Sequence, residues 1–424
     1  MNERIPFGEK LLPFVLPDPW KTKYLYPNRV PSFDDPQQAI SAALENPFGS
    51  LPLKERVKPN QRVSILVSDI TRLWVRTDLF LPSILRVLNE GGVKDHDIVL
   101  IVATGTHRDN SREEIRRIVG EETFRRVRII NHHANDEREL TYLGRSPYGT
   151  QVRINRSVAE SDLVIVTGGI TFHSLSGFSG GRKAILPGIS GYETVQQNHR
   201  LSLKEGGGVL PTVKKGSLEK NPVSDDMLAA ARMIPNTFLF NVVMDENGKL
   251  VQAVSGDLEK AHLEGCRTVQ QISTCPIRQK TEVVVAAPGG YPWDISLYQS
   301  IKTLENATYA TQEGGIIILV TECRDGLGPP DWAKWFDLGG VEGIERELRK
   351  GFTIPGFIAL KTASFTRRFR VLLVSQLPDE SAKKAGMIPT PSMSEAVCNA
   401  WQRREETTCT FIPSGSFVFP IHMP

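Results

Sequence analysis

Residues 168–199 read "GGITFHSLSGFSGGRKAILPGISGYETVQQNH" and hold two histidines, His173 and His199, around a glycine-rich turn with one lysine, Lys183. Histidine is the side chain that exchanges protons near neutral pH and also ligates metals. Glycines let backbone come close to an anion. Other chemistry-bearing residues follow short apolar runs. "SILVSDITR" ends in Asp69, Thr71 and Arg72; "IVLIVATGTHR" ends in Thr104, Thr106 and His107; "LVIVTGGITFH" leads to His173. "VVVAAPGGYPWD" leads to a helix with Tyr298, Gln299 and Lys302, and the last two, three apart, share a helix face. Four strand exits carry functional side chains and can converge on one crevice, beside a loop whose backbone can approach an anion.

Each also has a plainer explanation. An arginine after a strand is usually a surface charge, and a histidine after Thr-Gly-Thr more often bonds the turn than acts as a base. His132 and His133, in "NHHAND", read as a polar turn. The loop "GFSGGRK" fails as a phosphate-binding P-loop: from Gly177 the motif needs glycine where Arg182 stands, and Lys183 is followed by Ala184. No G-x-G-x-x-G follows a strand, which argues against a nicotinamide dehydrogenase. What survives is a three-glycine loop able to approach a phosphate-bearing ligand, with a lysine beside it.

The apolar runs at 63–67, 98–103, 163–167, 238–244, 283–287, 315–321 and 370–375 are continuous rather than alternating, as in strands buried on both faces. Helical patterns separate them: 79–89 stops at Gly91–Gly92, and Ser111-x-x-Glu114 and Ser296-x-x-Gln299 read as capping boxes. Alternating strands and helices predict an α/β protein of two domains with mostly parallel sheets, and an active site in the interdomain cleft at the strand exits. The boundary is expected near 275, giving a 1–274 cofactor-binding and catalytic domain and a 275–424 C-terminal α/β domain.

Of 424 residues, 51 are Lys or Arg and 48 Asp or Glu, a net +3 too small to suggest nucleic acid or a membrane surface. Five dispersed cysteines without a CxxC pair read as reduced thiols. The proline-rich N-terminus lacks the apolar core of a signal peptide, and nothing approaches a membrane span, so a cytoplasmic location is expected.

In order along the chain, "SDITR", "ATGTHR", "HSLSGFSGGRKAILPGISGYETVQQNH", "NPV" at Asn221, "GGYPWDISLYQSIKTLENA" and "ECRDGLG" resemble the nickel-dependent lactate racemase family and its 2-hydroxyacid racemase and epimerase relatives. The similarity runs over roughly residues 10 to 420, and the stretch from Phe172 to His199 is long and of unusual composition. The resemblance implies a nickel pincer nucleotide made by dedicated cofactor-synthesis proteins. It implies a thioamide tether at Lys183 and a nickel ligand at His199. It further implies cofactor contacts from Asp69, Thr71, Ser179, Gly180 and Gly181. His107 and His173 become the paired acid/base residues. Arg72, Gln299 and Lys302 become partners of the substrate carboxylate, and Leu175 the contact to the substrate side chain.

Those residue types suit the implied reaction. Removing the C2 hydrogen of a 2-hydroxy acid as a proton is costly beside a carboxylate. Moving it as a hydride while the hydroxyl proton leaves gives a planar 2-keto acid, to which hydride can return on either face. Two bases near neutral pKa then serve the two enantiomers, and histidine fits. Nickel accepts an imidazole and soft sulfur ligands. Arg182 beside Lys183 would favour its neutral amine. Apolar Leu175 favours a small aliphatic substrate. Where the family often has proline after the arginine, this chain has Leu73 and Trp74, and Trp332 and Trp335 are candidates for a family tryptophan. A non-catalytic organic-acid or nucleotide-binding protein on the same scaffold is the alternative.

Overall fold

The computed structural model describes residues 2–205, 207–401 and 407–423. The chain divides into two compact units, Val30–Gln271 and a second made of Met1–Arg29 with Ile272–Pro424. The first 29 residues thus lie with the C-terminal unit rather than with the 1–274 domain expected from sequence. The reason is strand Trp20–Tyr24, which pairs in parallel with Thr407–Ile412. Its sequence, WKTKY, alternates polar and apolar as an edge strand does and carries no continuous apolar run.

The Val30–Gln271 unit is built on a six-stranded sheet in the order Leu250–Gly256, Thr237–Met244, Leu163–Gly169, Val63–Ser68, Ile98–Ala103, Arg128–Asn131. The first strand is antiparallel to its neighbour and the rest are parallel. All seven residues of Leu163–Gly169 are buried, as its unbroken apolar sequence requires. Helix Thr77–Glu90 buries Phe80, Leu81, Ile84, Leu85 and Leu88, residues at helical spacing, against this sheet. At about 1.5–3 kcal/mol for each large side chain removed from water, this layer is a main source of the unit's stability.

The chain runs outward from Val63–Ser68 through two strands, then returns to its other side at Leu163–Gly169. The sheet order therefore reverses between those two strands. In open parallel sheets such a reversal opens a crevice at the carboxyl ends of the strands. Asp69 leaves one of these two strands and the loop bearing His173 and Lys183 leaves the other.

The other unit carries an all-parallel sheet in the order Ile388–Pro389, Arg370–Val374, Thr311–Val320, Thr281–Ala286, Thr407–Ile412, Trp20–Tyr24. Helix Leu297–Ala310 follows Thr281–Ala286, and Ser296 caps it by accepting from the Gln299 amide at 3.4 Å. The reciprocal bond of a full capping box, seen at Ser111 and Glu114, is not formed there. Gln299 instead accepts from Lys302 Nζ at 2.9 Å.

Candidate active site

Asp69 is the first residue beyond Val63–Ser68 and is buried, with 6% of its side chain exposed. One carboxylate oxygen lies 2.6 Å from Nδ1 of His107, whose ring is 53% exposed. The other accepts from the Thr71 hydroxyl at 2.5 Å, and Arg72 Nη1 donates to that hydroxyl at 2.7 Å. Burial alone would raise the Asp69 pKa. The hydrogen bond and charge of His107, the Arg72 charge and the Thr71 hydroxyl outweigh it and hold the carboxyl below its usual range. An ionised Asp69 only accepts, so His107 carries a proton on Nδ1, and in its neutral form Nε2 is the proton-accepting atom. Asp69 and Thr71, expected at a cofactor, are thus bonded into the His107–Arg72 network.

The His107 turn is also tied to the glycine-rich loop. Gly105, at φ +58, donates its N–H to Gly188 O at 2.9 Å, and Gly188 N–H donates to Lys183 O at 3.0 Å. A side chain at Gly105 would be strained in that left-handed conformation. By contrast His132 is 1% exposed and bonded to Ser190 O and Asn155, with burial pushing its pKa down to about 4; it is a structural residue, as its sequence context suggested.

His173 sits in a small hairpin, Phe172–His173 paired with Gly177–Phe178. Its Nδ1 accepts from the backbone amides of Leu175 at 3.2 Å and Ser176 at 3.3 Å, and lies 3.1 Å from the Ser176 hydroxyl. Ser179 closes the hairpin base. Its hydroxyl donates to Gly169 O at 2.8 Å and accepts from Thr171 N–H at 2.9 Å. Leu175, expected against the substrate, is 1% exposed, and its backbone is what faces His173.

Gly180 and Gly181 both have positive φ, and a Cβ on Gly181 would come within 2.6 Å of the His262 ring. His262, on helix Lys260–Ser273, was not singled out in the sequence; nothing in its local pattern marks it. Arg182 Nη1 donates to His262 Nδ1 at 3.0 Å, and His262 Nε2 donates to Ser179 O at 2.8 Å. Arg182 also donates to Ser224 Oγ at 2.6 Å and Ser176 O at 3.2 Å. Both side chains are buried, and burial, then the Arg182 charge, pushes the His262 pKa down to about 3. The Arg182 head group is therefore spent on fastening the loop from beneath.

His199 is 3% exposed on helix Tyr192–Arg200, which the neighbouring Asn198 anchors by donating to the buried Asp226 carboxylate at 2.8 Å. Burial first, then the nearby Lys183 charge, pushes the His199 pKa down to about 3, while the Val195 carbonyl opposes the shift. His199 is thus a neutral imidazole beside Lys183, the form a metal binds. Among the described residues no group of three or more His, Cys, Asp or Glu is placed to hold a metal ion by itself. A metal at His199 would take its other ligands from a bound molecule, and Lys183 is the amine placed to tether one. The residues present fit such a group.

Trp74 packs over Gly169, where a Cβ would meet its ring at 2.6 Å, so this side chain covers the exit of Leu163–Gly169. In the other unit Trp332 is fully buried against Tyr298 and Phe336, with ring centroids 5.5 and 5.0 Å apart.

Residues 7–208 match the family model described as the lactate racemase N-terminal domain, and residues 277–419 match the lactate racemase C-terminal domain. A lactate racemase of Thermoanaerobacterium thermosaccharolyticum is 33% identical over 338 residues, 79% of this chain and 78% of that one. A lactate racemase of Lactiplantibacillus plantarum is 33% identical over 388 residues, 89% of each chain. The solved apoprotein structure of the T. thermosaccharolyticum lactate racemase superposes with a TM-score of 0.89 at 30% identity, covering 99% of this chain and 100% of that one. A Thermotoga maritima protein shares the fold at a TM-score of 0.65 and 20% identity, over 91% and 97% of the two chains.

Proposed function

The chain belongs to the lactate racemase family and is an isomerase, and we propose that it inverts C2 of a small 2-hydroxy acid, lactate or a close aliphatic relative, with a nickel pincer nucleotide attached through Lys183 and ligated by His199. When bound, that group supplies the acceptor for the C2 hydrogen as hydride. The chain's own residues do the rest. Arg72, fixed through Thr71, grips the substrate carboxylate, and Gln299 and Lys302 are proposed partners of the same carboxylate. His107 Nε2 takes the hydroxyl proton, and the ionised Asp69 stabilises the resulting imidazolium. His173 acts on the substrate oxygen in its second position. Ser179, Gly180 and Gly181 present the loop to the nucleotide, with Asp69 and Thr71 acting through His107 and Arg72. Leu175 narrows the site for a small aliphatic group.

The observation that carries this reading is the 2.6 Å Asp69–His107 pair at a strand exit, bonded through Gly105 and Gly188 to the loop that bears Lys183. An exposed imidazole backed by a buried, ionised carboxylate is built for proton exchange. The five cysteines are unpaired thiols, which supports a cytoplasmic location, and no helix among the described residues is long and apolar enough to cross a membrane. Cofactor-synthesis proteins are the other partners proposed. The test is to produce the protein in a host that makes the cofactor, record its intact mass and nickel content, and follow loss of optical activity from pure L- and pure D-lactate. An unmodified Lys183 with full racemisation would overturn the cofactor assignment. A loaded protein inert on both enantiomers would overturn the substrate.

A further inference from the structure

Strand Thr237–Met244 is buried over residues 238–243, and five of those six are Phe, Leu or Val. The exception is Asn241, fully buried among apolar neighbours along the strand. A buried amide costs free energy unless its polar atoms are bonded. Asn241 Nδ2 donates to Phe240 O at 2.9 Å, and Oδ1 accepts from the Gly181 N–H at 2.7 Å. A backbone N–H can only donate, so it is the amide oxygen that faces Gly181.

Glycines make this reach possible. Asn241 stands opposite Gly168 in the parallel pairing with Leu163–Gly169. A Cβ at Gly168 would lie 3.6 Å from Asn241 Nδ2 and 3.7 Å from Gly180 Cα, so the turn lies directly over the end of that strand. Gly180 is at φ +71, and a Cβ there would come within 2.6 Å of Asn241 Oδ1. Gly181 then opens the short helical turn Gly181–Ala184, within which Lys183 N–H donates to Gly180 O at 3.1 Å. His262 and Arg182 fasten the same loop, but their bonds end on Ser179 O and on the Arg182 side chain. The bond from Asn241 is the one made to the Gly180–Gly181 peptide itself.

We infer that Asn241 is a positioning residue for Lys183: its side-chain oxygen holds the Gly180–Gly181 peptide so that the turn presents the Lys183 amine beside His199. This deepens the tether reading and rests on it. Asn241 works from within the sheet, through the turn. The Gly181 N–H is committed to Asn241, so Gly181 contributes the shape of the turn rather than a hydrogen bond to a bound anion. A loosened turn would let the Lys183 amine wander from the one place where the tether forms, since reaction between held groups depends on their orientation.

The test has two arms and three variants of the full-length chain. Asn241→Leu keeps the volume and suits an apolar strand but offers no acceptor; Asn241→Ala removes the side chain; Asn241→Asp keeps an oxygen in place. In the first arm, hydrogen exchange of the unloaded proteins is read by mass spectrometry. The segment 179–184 should exchange about 2–12-fold faster in the Leu and Ala variants, the equivalent of one neutral hydrogen bond, while Ile98–Ala103 exchanges as in wild type. Asn241→Asp should restore the slow rate. In the second arm, proteins from a host that makes the cofactor are weighed intact. The Leu and Ala variants should carry less adduct than wild type, and Asn241→Asp should regain it. Unchanged exchange at 179–184, or exchange that rises equally throughout the unit, overturns the proposal. So does a full adduct on a loosened turn, or a folded Asn241→Asp that stays loosened. Should the buried charge of Asn241→Asp prevent folding, the Leu and Ala variants decide. A wild type without adduct would overturn the tether reading, and the exchange arm would still show whether Asn241 holds the turn, so the two readings fail separately.

Discussion

Replacing Asp69 with asparagine keeps the size of the side chain and removes its charge. In the native protein the carboxylate is buried, 2.6 Å from His107 Nδ1, and also accepts from Thr71. A hydrogen bond to a charged group contributes about 1.5–3 kcal/mol, and in the proposed reaction its worth would rise as His107 took the substrate proton and became an imidazolium. Because that gain arises during the reaction, its loss falls on catalysis. At 1.36 kcal/mol per decade, Asp69→Asn should lower kcat/KM about 10–150-fold. A further constraint comes from symmetry. The enantiomers of a substrate with one stereocentre have equal free energy, so kcat/KM must remain equal in both directions for every variant, and only kcat and KM can separate. Initial rates from pure L- and pure D-lactate, read by chiral chromatography, should fall by the same factor in kcat/KM. A folded Asp69→Asn protein within about threefold of wild type would refute the reasoning, because the carboxylate would then be no part of the proton exchange.

Four further outcomes are expected. Lys183→Ala should carry no covalent adduct by intact mass and no racemase activity; an unchanged adduct would place the tether elsewhere. Arg72→Ala should lose about 1.5–3 kcal/mol of substrate binding and more catalysis than Gln299→Ala, since it removes a full charge; equal or reversed losses would centre the carboxylate on the helix after Ser296. Gly181→Ala should lower the urea midpoint, because φ is +55 and the new Cβ meets His262 at 2.6 Å, with a cost of at least about 1–2 kcal/mol for the left-handed backbone alone. His132, His199 and His262 have folded pKa values near 4, 3 and 3, below the unfolded value of about 6.5. Their depressed values add stability that is complete above pH ~6.5 and is lost as pH falls toward the folded values, at up to about 1.4 kcal/mol per unit for each group. Urea midpoints of the unloaded protein that stay flat from pH 7 to 5 would contradict this.

Much of the candidate site was legible because strands buried on both faces announce themselves as unbroken apolar runs, and their exits can be read off. Ile98–Ala103 lies where its sequence places it, and His107 follows. The Ser111 capping box is a local pattern and formed as read. The same pattern at Ser296 formed only by half, since Lys302 competes for the Gln299 side chain. Edge strand Trp20–Tyr24 was not legible, because its pairing is set by a partner at the far end of the chain. His262 was silent for a similar reason: Arg182 gives it its role from 80 positions away. The Asp69–His107 bond lay between the two cases. Both residues were visible, but only the side-by-side strands Val63–Ser68 and Ile98–Ala103 bring them within 2.6 Å.

The pairing of Trp20–Tyr24 with Thr407–Ile412 also sets the order in which the molecule can be completed during translation. Trp20–Tyr24 leaves the ribosome long before Thr407–Ile412, from which most of the chain separates it. At about 5–20 residues per second the early strand waits on the order of 20–80 s without its neighbour. The Val30–Gln271 unit has by then been fully synthesised and is free to form its core. The all-parallel sheet of the other unit must wait for Thr407–Ile412, with the slow closure that pairings distant in sequence impose. An unpaired strand edge exposed for that time is a surface on which another nascent chain can pair. Demand for chaperones should therefore fall on the split unit, while the unit that carries His107, His173 and Lys183 matures early.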